Sequence, residues 1–166
     1  MKIFPTNNYE FELTKESTDA LSELEKNTLI TDSLVSEWTK KAFIGQVNNN
    51  GFKIISSKPG RGAFCILNGK LESKKGTLEI RIHKAFRIML SLIYLFPLIG
   101  FTIALFTKEK EIIISLIFPT LMALVVFRFV FTELAFRIIS GNGLKKLTEI
   151  IGINKLKKTR HNKELR

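Results

Sequence analysis

The chain has 166 residues, 45% of them hydrophobic and 25% charged, with a formal net charge of +11. That length suits one domain of ordinary size, the apolar content excludes general disorder, and a single cysteine excludes an internal disulfide framework. Charge is unevenly spread: residues 1–85 carry 13 Lys/Arg against 10 Asp/Glu, a net of +3, whereas residues 128–166 carry 10 against 3, a net of +7.

Tyr9-Glu10-Phe11-Glu12-Leu13-Thr14 alternates apolar and polar residues, the period of a half-buried strand. Ser17, Thr18 and Asp19 offer N-cap side chains to a short helix in which Leu21 and Leu24 share a face. A second short helix is predicted over Asp32 to Lys41 from Leu34, Val35 and Trp38. The period then returns to two. Ala42 to Val47 and Phe52 to Ser56 flank Asn48-Asn49-Asn50-Gly51, a hairpin signal because Asn and Gly tolerate positive φ. Phe64 to Glu72 and Thr77 to His83 flank Ser73-Lys74-Lys75-Gly76, a second hairpin. The predicted order is β-α-α-β-β-β-β, an α+β head with helices over one face of an antiparallel sheet.

That element order over residues 9–84 resembles the opening two-thirds of the helix-grip (START or Bet v 1-like) domains. The resemblance implies an apolar cavity for a lipid or similar ligand. It rests on element order, without a sequence motif of the family. The last strands and long closing helix of those domains have no counterpart before the chain turns apolar. A sheet laying its apolar face on the hairpin, the tail or a partner is therefore the preferred expectation.

Ile88 to Phe106 is 19 residues without a charge, roughly 28 Å as a helix and close to the hydrocarbon thickness of a bilayer. After Thr107-Lys108-Glu109-Lys110-Glu111, a second uncharged run extends from Ile112 to Phe127 and reaches spanning length through Phe131. Arg128 lies near its end, where its charged tip can snorkel to the headgroups. Neither run has the placement of a signal peptide. The expected organisation is a head (1–85), a first transmembrane helix (86–106), an external loop (107–111), a second transmembrane helix (112–132) and a basic tail (133–166). Lys70, Lys74, Lys75, Arg81, Lys84 and Arg87 precede the hairpin, and Arg128, Arg137, Lys145 and Lys146 follow it. The loop offers only Lys108 and Lys110, so the Lys/Arg bias places both ends in the cytoplasm. Abundant Lys, Ile and Asn suit an AT-rich bacterial genome, hence a bacterial inner membrane.

Each apolar run contains a proline, Pro97 and Pro119, expected as transmembrane kinks. A paired break could open an ion site as in discontinuous transporter helices. No acidic residue, His or Lys lies near either proline, so ordinary tolerated kinking is favoured.

In the tail, Ser140-Gly141-Asn142-Gly143 is expected to end the second helix. Leu144, Leu147, Ile150 and Ile151 then recur at helical spacing, with Lys145, Lys146, Lys155, Lys157 and Lys158 supplying charge. This predicts a basic amphipathic C-terminal helix, either resting on the anionic inner leaflet or packing its stripe on the head. Without interleaved aromatics it is not expected to bind nucleic acid.

Catalytic groups are sparse: Asp19, Asp32, His83, His161 and Cys65, with no metal-ligand spacing and no nucleophile elbow. No cofactor, metal or catalytic residue is assigned. Lys58-Pro59-Gly60-Arg61-Gly62 is read as a plain turn or as an anion-holding loop, with Arg61 and Lys58 its candidate contacts to an anion or partner. The expected function is a non-enzymatic membrane protein: a cytoplasmic-face binding or adaptor module with a protein partner or a second copy of itself. The runner-up is an accessory or immunity-type protein acting through the hairpin. An apolar-ligand or lipid-binding head, or a lipid-modifying enzyme, ranks below both.

Overall fold

The structure, a computed structural model, describes residues 4–35, 37–58, 62–107 and 110–159. Its strands are β1 (Thr6–Leu13), β2 (Thr28–Ile30), β3 (Phe43–Asn48), β4 (Gly51–Ser56), β5 (Cys65–Glu72), β6 (Lys75–Ile82) and β7 (Ile153–Thr159). Helix α1 (Ser17–Lys26) follows β1. The hairpin consists of α2 (Lys84–Thr107) and α3 (Lys110–Val125), and α4 (Glu133–Ile151) leads back to β7. The seven strands form one sheet in the order β2-β3-β4-β5-β6-β1-β7. β2 runs parallel to β3 and every other pair is antiparallel, so the sheet is mixed rather than wholly antiparallel.

The period of two seen in the sequence sorts side chains onto the two faces. Phe11, Phe52, Ile54, Leu67, Leu78, Ile80 and Ile82 are buried on the inner face, under Ala20, Leu21 and Leu24 of α1 and Phe136, Leu147 and Ile151 of α4. Phe86 and Leu90, at the start of α2, pack on the same core. The outer face is polar except where Ile44, Ile55 and Ile66 form a small cluster with Leu29, Leu34 and Ala63.

The head is thus assembled from both sides of the hairpin. The expected head of residues 1–85 lacks the elements that close it, because α4 and β7 come from the other side of α2 and α3. The physical reason lies in the tail. Phe136, Ser140, Gly143, Leu147 and Ile151 are the buried positions of α4, and their spacing of three or four keeps them on one helix face. Small residues in that stripe let helix and sheet approach closely: a Cβ at Gly143 would touch Leu67 Cδ1 at 3.4 Å.

Three expectations are corrected here. The Ser140–Gly143 tetrad does not stop the helix; α4 runs straight through it. It ends instead at Gly152, whose φ of +72° is the left-handed cap conformation. The basic tail after that cap is a strand, not part of an amphipathic helix: β7 pairs with β1, Leu156 opposite Phe11 and Lys157 opposite Glu10. Finally, the described residues within 32–41 form no helix. There Thr31 Oγ1 accepts from the Ser33 amide and Thr39 Oγ1 from the Lys41 amide, both at 3.2 Å. Such local bonds compete with helical ones, and Leu34 is drawn onto the outer-face cluster.

α2 and the continuous run Lys110–Ile151 are each long and apolar enough to cross a membrane, with mean hydropathy 2.3 over their most apolar stretch. Phe96, Phe106 and Phe118 are among the exposed apolar side chains of the hairpin. Pro97 and Pro119 lie inside α2 and α3, and both helices continue through them. Hydroxyls along the hairpin bond their own helix: Thr102 Oγ1 donates to Leu98 O and Thr120 Oγ1 to Leu116 O, each at 2.8 Å. The departure from α geometry occurs elsewhere, in a π-helical segment Val126–Thr132 that joins α3 to α4.

Candidate functional site: a basic cleft and a polar girdle

Between the end of β4 and α4 lies a cleft of about 340 Å³ lined by Ser56, Lys58, Ile139, Asn142, Gly143, Lys145, Lys146 and Glu149. The fold therefore joins Lys58, from a loop of the sheet, to Lys145 and Lys146, which stand almost ninety residues away in sequence. Register explains Lys58: β4 ends at Ser56, and the Ser57 amide donates to Ala42 O at 3.1 Å, anchoring the chain at that sheet end. Helical phase explains the lysines: with Gly143, Leu147 and Ile151 turned to the core, Lys145 and Lys146 fall at the flank of α4. Three ammonium groups stand against the single carboxylate of Glu149, with the Asn142 amide as a further donor or acceptor. Such a set suits a carboxylate or phosphate. Arg61, expected beside Lys58, lies outside the described residues.

Lys155, Lys157 and Lys158 are not part of this cleft. On β7, Lys155 stands opposite Glu12 and Lys157 opposite Glu10. The Lys155 ammonium lies 3.5 Å from Glu12 Oε2. Lys155 and Lys157 line a shallow outer-face cleft of about 480 Å³ together with Lys70, Lys75, Glu10, Glu12 and Glu72. Four lysines there face three glutamates, so that surface carries little net charge. Lys158, opposite Tyr9, is exposed on the same edge strand.

A second polar group, missed in the sequence, forms a girdle at the base of the hairpin. The Tyr94 and Thr132 hydroxyls are 2.6 Å apart, linking α2 to the π-helical segment, and Thr132 Oγ1 also donates to Phe127 O at 3.0 Å. Glu133 bridges Arg128 at 3.7 Å and Arg137 at 3.2 Å. Phe4 packs against Tyr94 and beneath the Arg87 guanidinium, 5.7 Å from its ring centre. Sequence spacing could not show this, because π geometry brings residues five apart into contact.

The residues with catalytic potential are dispersed. Asp19 lies in the first turn of α1, where it suits the helix dipole, while the cap position is Glu16. Asp32 Oδ1 accepts from Gln46 Nε2 at 2.6 Å. Cys65 is buried on the inner face, where burial pushes its thiol up to about 12, the opposite of an activated nucleophile. His83 sits between β6 and α2 and accepts from the Ala85 amide through Nδ1 at 3.2 Å. Partial burial, then the nearby Lys53 and Arg81, lowers its pKa. His161 lies outside the described residues. Among the described residues, no three His, Cys, Asp or Glu side chains converge to hold a metal. No protein-family model, curated protein or solved structure matches this chain.

Proposed function

We propose that the chain is an integral protein of a bacterial inner membrane, anchored by α2 and α3, with its head and both flanking segments on the cytoplasmic side. We further propose a non-enzymatic role, in which the head binds an acidic protein partner through the cleft of Lys58, Lys145 and Lys146. The carrying observation is the convergence of those three cations from two remote parts of the chain. Two features support the anchoring. The hairpin leaves from β6 and returns through α4 to the same sheet, so both of its ends belong on one side. The Lys/Arg excess flanks the hairpin rather than its loop.

The continuous helix favours a partner in the aqueous phase over the leaflet. A helix that crosses the bilayer cannot also lie flat on it. Lys145 stands 12 residues beyond Glu133, about 18 Å along the axis. That exceeds a Debye length of about 8–10 Å at cellular salt, beyond which a charged surface is largely screened. The helix-grip resemblance remains a secondary proposal, since the inner face is filled by α1 and α4 side chains.

The test is co-purification of the full chain in mild detergent, scored for proteins and lipids by mass spectrometry. Wild type is compared with a Lys58→Gln/Lys145→Gln/Lys146→Gln variant. A stoichiometric acidic protein lost from the variant is the expected result. Retention of that protein by the variant, or capture of lipid alone, would overturn the reading.

A further inference from the structure

The loop between β2 and β3 carries the only tryptophan of the chain, Trp38, and that side chain is 91% exposed. Val35 in the same loop is 57% exposed. A soluble surface seldom leaves an indole so uncovered, because its ring offers 150–250 Å² of burial. We propose that Val35 and residues 37–41, tipped by Trp38, form a second membrane contact that seats the rim of the head on an anionic leaflet. This rests on the reading that α2 and α3 cross a bilayer.

Register locates the loop. Phe43 pairs with Ser56, Cys65 with Ile82 and Thr6 with Arg81, so these residues mark one end of the sheet. α2 starts at Lys84, two residues beyond Ile82, and therefore leaves from that end. Leu34 packs on Ile44, Ile55 and Ile66, at the adjoining row of the outer face. Lys41 O accepts from Ser57 Oγ at 2.5 Å, back at the same end. The loop leaves β2 beside Gly45, two residues in from Phe43, and finishes at Lys41 on the rim from which the hairpin departs. Trp38 is three residues from Lys41, within about 10 Å of that anchor.

The rim also has the charge that an anionic surface recognises. Lys40, Lys41, Lys84 and Arg87 are exposed along it, against Glu37. An indole flanked by lysines matches the interfacial belt, where an apolar ring with one polar N–H sits at headgroup level. Cations within a Debye length of such a surface are drawn to it.

Because Trp38 is the only tryptophan, its emission reports this contact alone. The full chain is reconstituted in vesicles of phosphatidylcholine with or without phosphatidylglycerol, using brominated acyl chains as quencher. Carbonate extraction separately reports whether the hairpin is inserted. The expected result is blue-shifted emission strongly quenched by the brominated lipid, more so with phosphatidylglycerol. Lys40→Gln/Lys41→Gln should remove that anionic-lipid enhancement. Red, unquenched emission from a carbonate-resistant protein overturns the inference while leaving the anchor standing. A blue shift without lipid quenching also overturns it, by placing Trp38 in a protein interface. Release by carbonate overturns both readings.

Discussion

Phe11 on β1 lies across Gly76 on β6: the two are paired in register, and a Cβ on the glycine would overlap the phenylalanine ring. Phe52 and Gly69 repeat the arrangement between β4 and β5. In each case a strand glycine, weak by itself, makes room for an aromatic ring from its neighbour. Both pairs lie on the inner face, so register and core packing are specified together.

Gly76→Ala should therefore destabilise the head by about 1–3 kcal/mol, the usual cost of overpacking a filled site. Thermal unfolding in detergent measures it. Pairing the change with Phe11→Leu should recover part of the loss, whereas independent effects would simply add.

Gly141 gives the opposite sign. It sits inside α4 with nothing within 4 Å of where a Cβ would be. Gly141→Ala should stabilise by about 0.5–1 kcal/mol, since alanine replaces glycine in a helix interior. If the helix stopped at this tetrad the substitution would bring no such gain. The same melting experiment decides.

A fragment of residues 1–85 should not fold. Without α4 the inner face loses Phe136, Leu147 and Ile151, all essentially buried, at roughly 1.5–3 kcal/mol for each side chain. Circular dichroism and gel filtration should find it aggregated or unfolded. By contrast, a chain in which a short flexible linker replaces residues 91–131 should retain the sheet signature.

The Tyr94–Thr132 bond ties the two arms of the hairpin together. Tyr94→Phe and Thr132→Val should each destabilise. A double-mutant cycle should give a coupling of about 0.5–1.5 kcal/mol, the usual net worth of one hydrogen bond. Zero coupling would show the hydroxyls to be independent.

His83 makes stability fall on acidification. Its folded pKa lies below the ordinary histidine value, first through burial and then through Lys53 and Arg81. The folded state thus binds fewer protons than the unfolded one as pH drops through about 6.5. Stability present above that pH is lost progressively toward the lowered folded value. His83→Gln should flatten the dependence of Tm on pH in that window.

Local signals alone determined β1, the first helix, the strands of the two hairpins and both apolar runs. Alternation of period two, polar turns at Asn49-Asn50 and Ser73-Lys74, and uninterrupted hydrophobicity act within a few residues, where sequence is physically sufficient. The stripe Leu144, Leu147, Ile150, Ile151 was equally legible as an amphipathic helix face. What it covers was not, because leaflet and sheet offer the same apolar contact to such a face. Tertiary structure decided that question by placing Leu147 and Ile151 against strands more than sixty residues earlier. It likewise turned residues 153–159 into an edge strand, since β7 gains its hydrogen bonds only from β1. Segment 32–41 shows the converse: helical spacing of Leu34, Val35 and Trp38 yielded to hydroxyl–amide bonds and to an isoleucine cluster made by three strands. The basic cleft belongs to the same class. Lys58 and Lys145 share no local pattern, and only the return of α4 to the sheet brings their charges together.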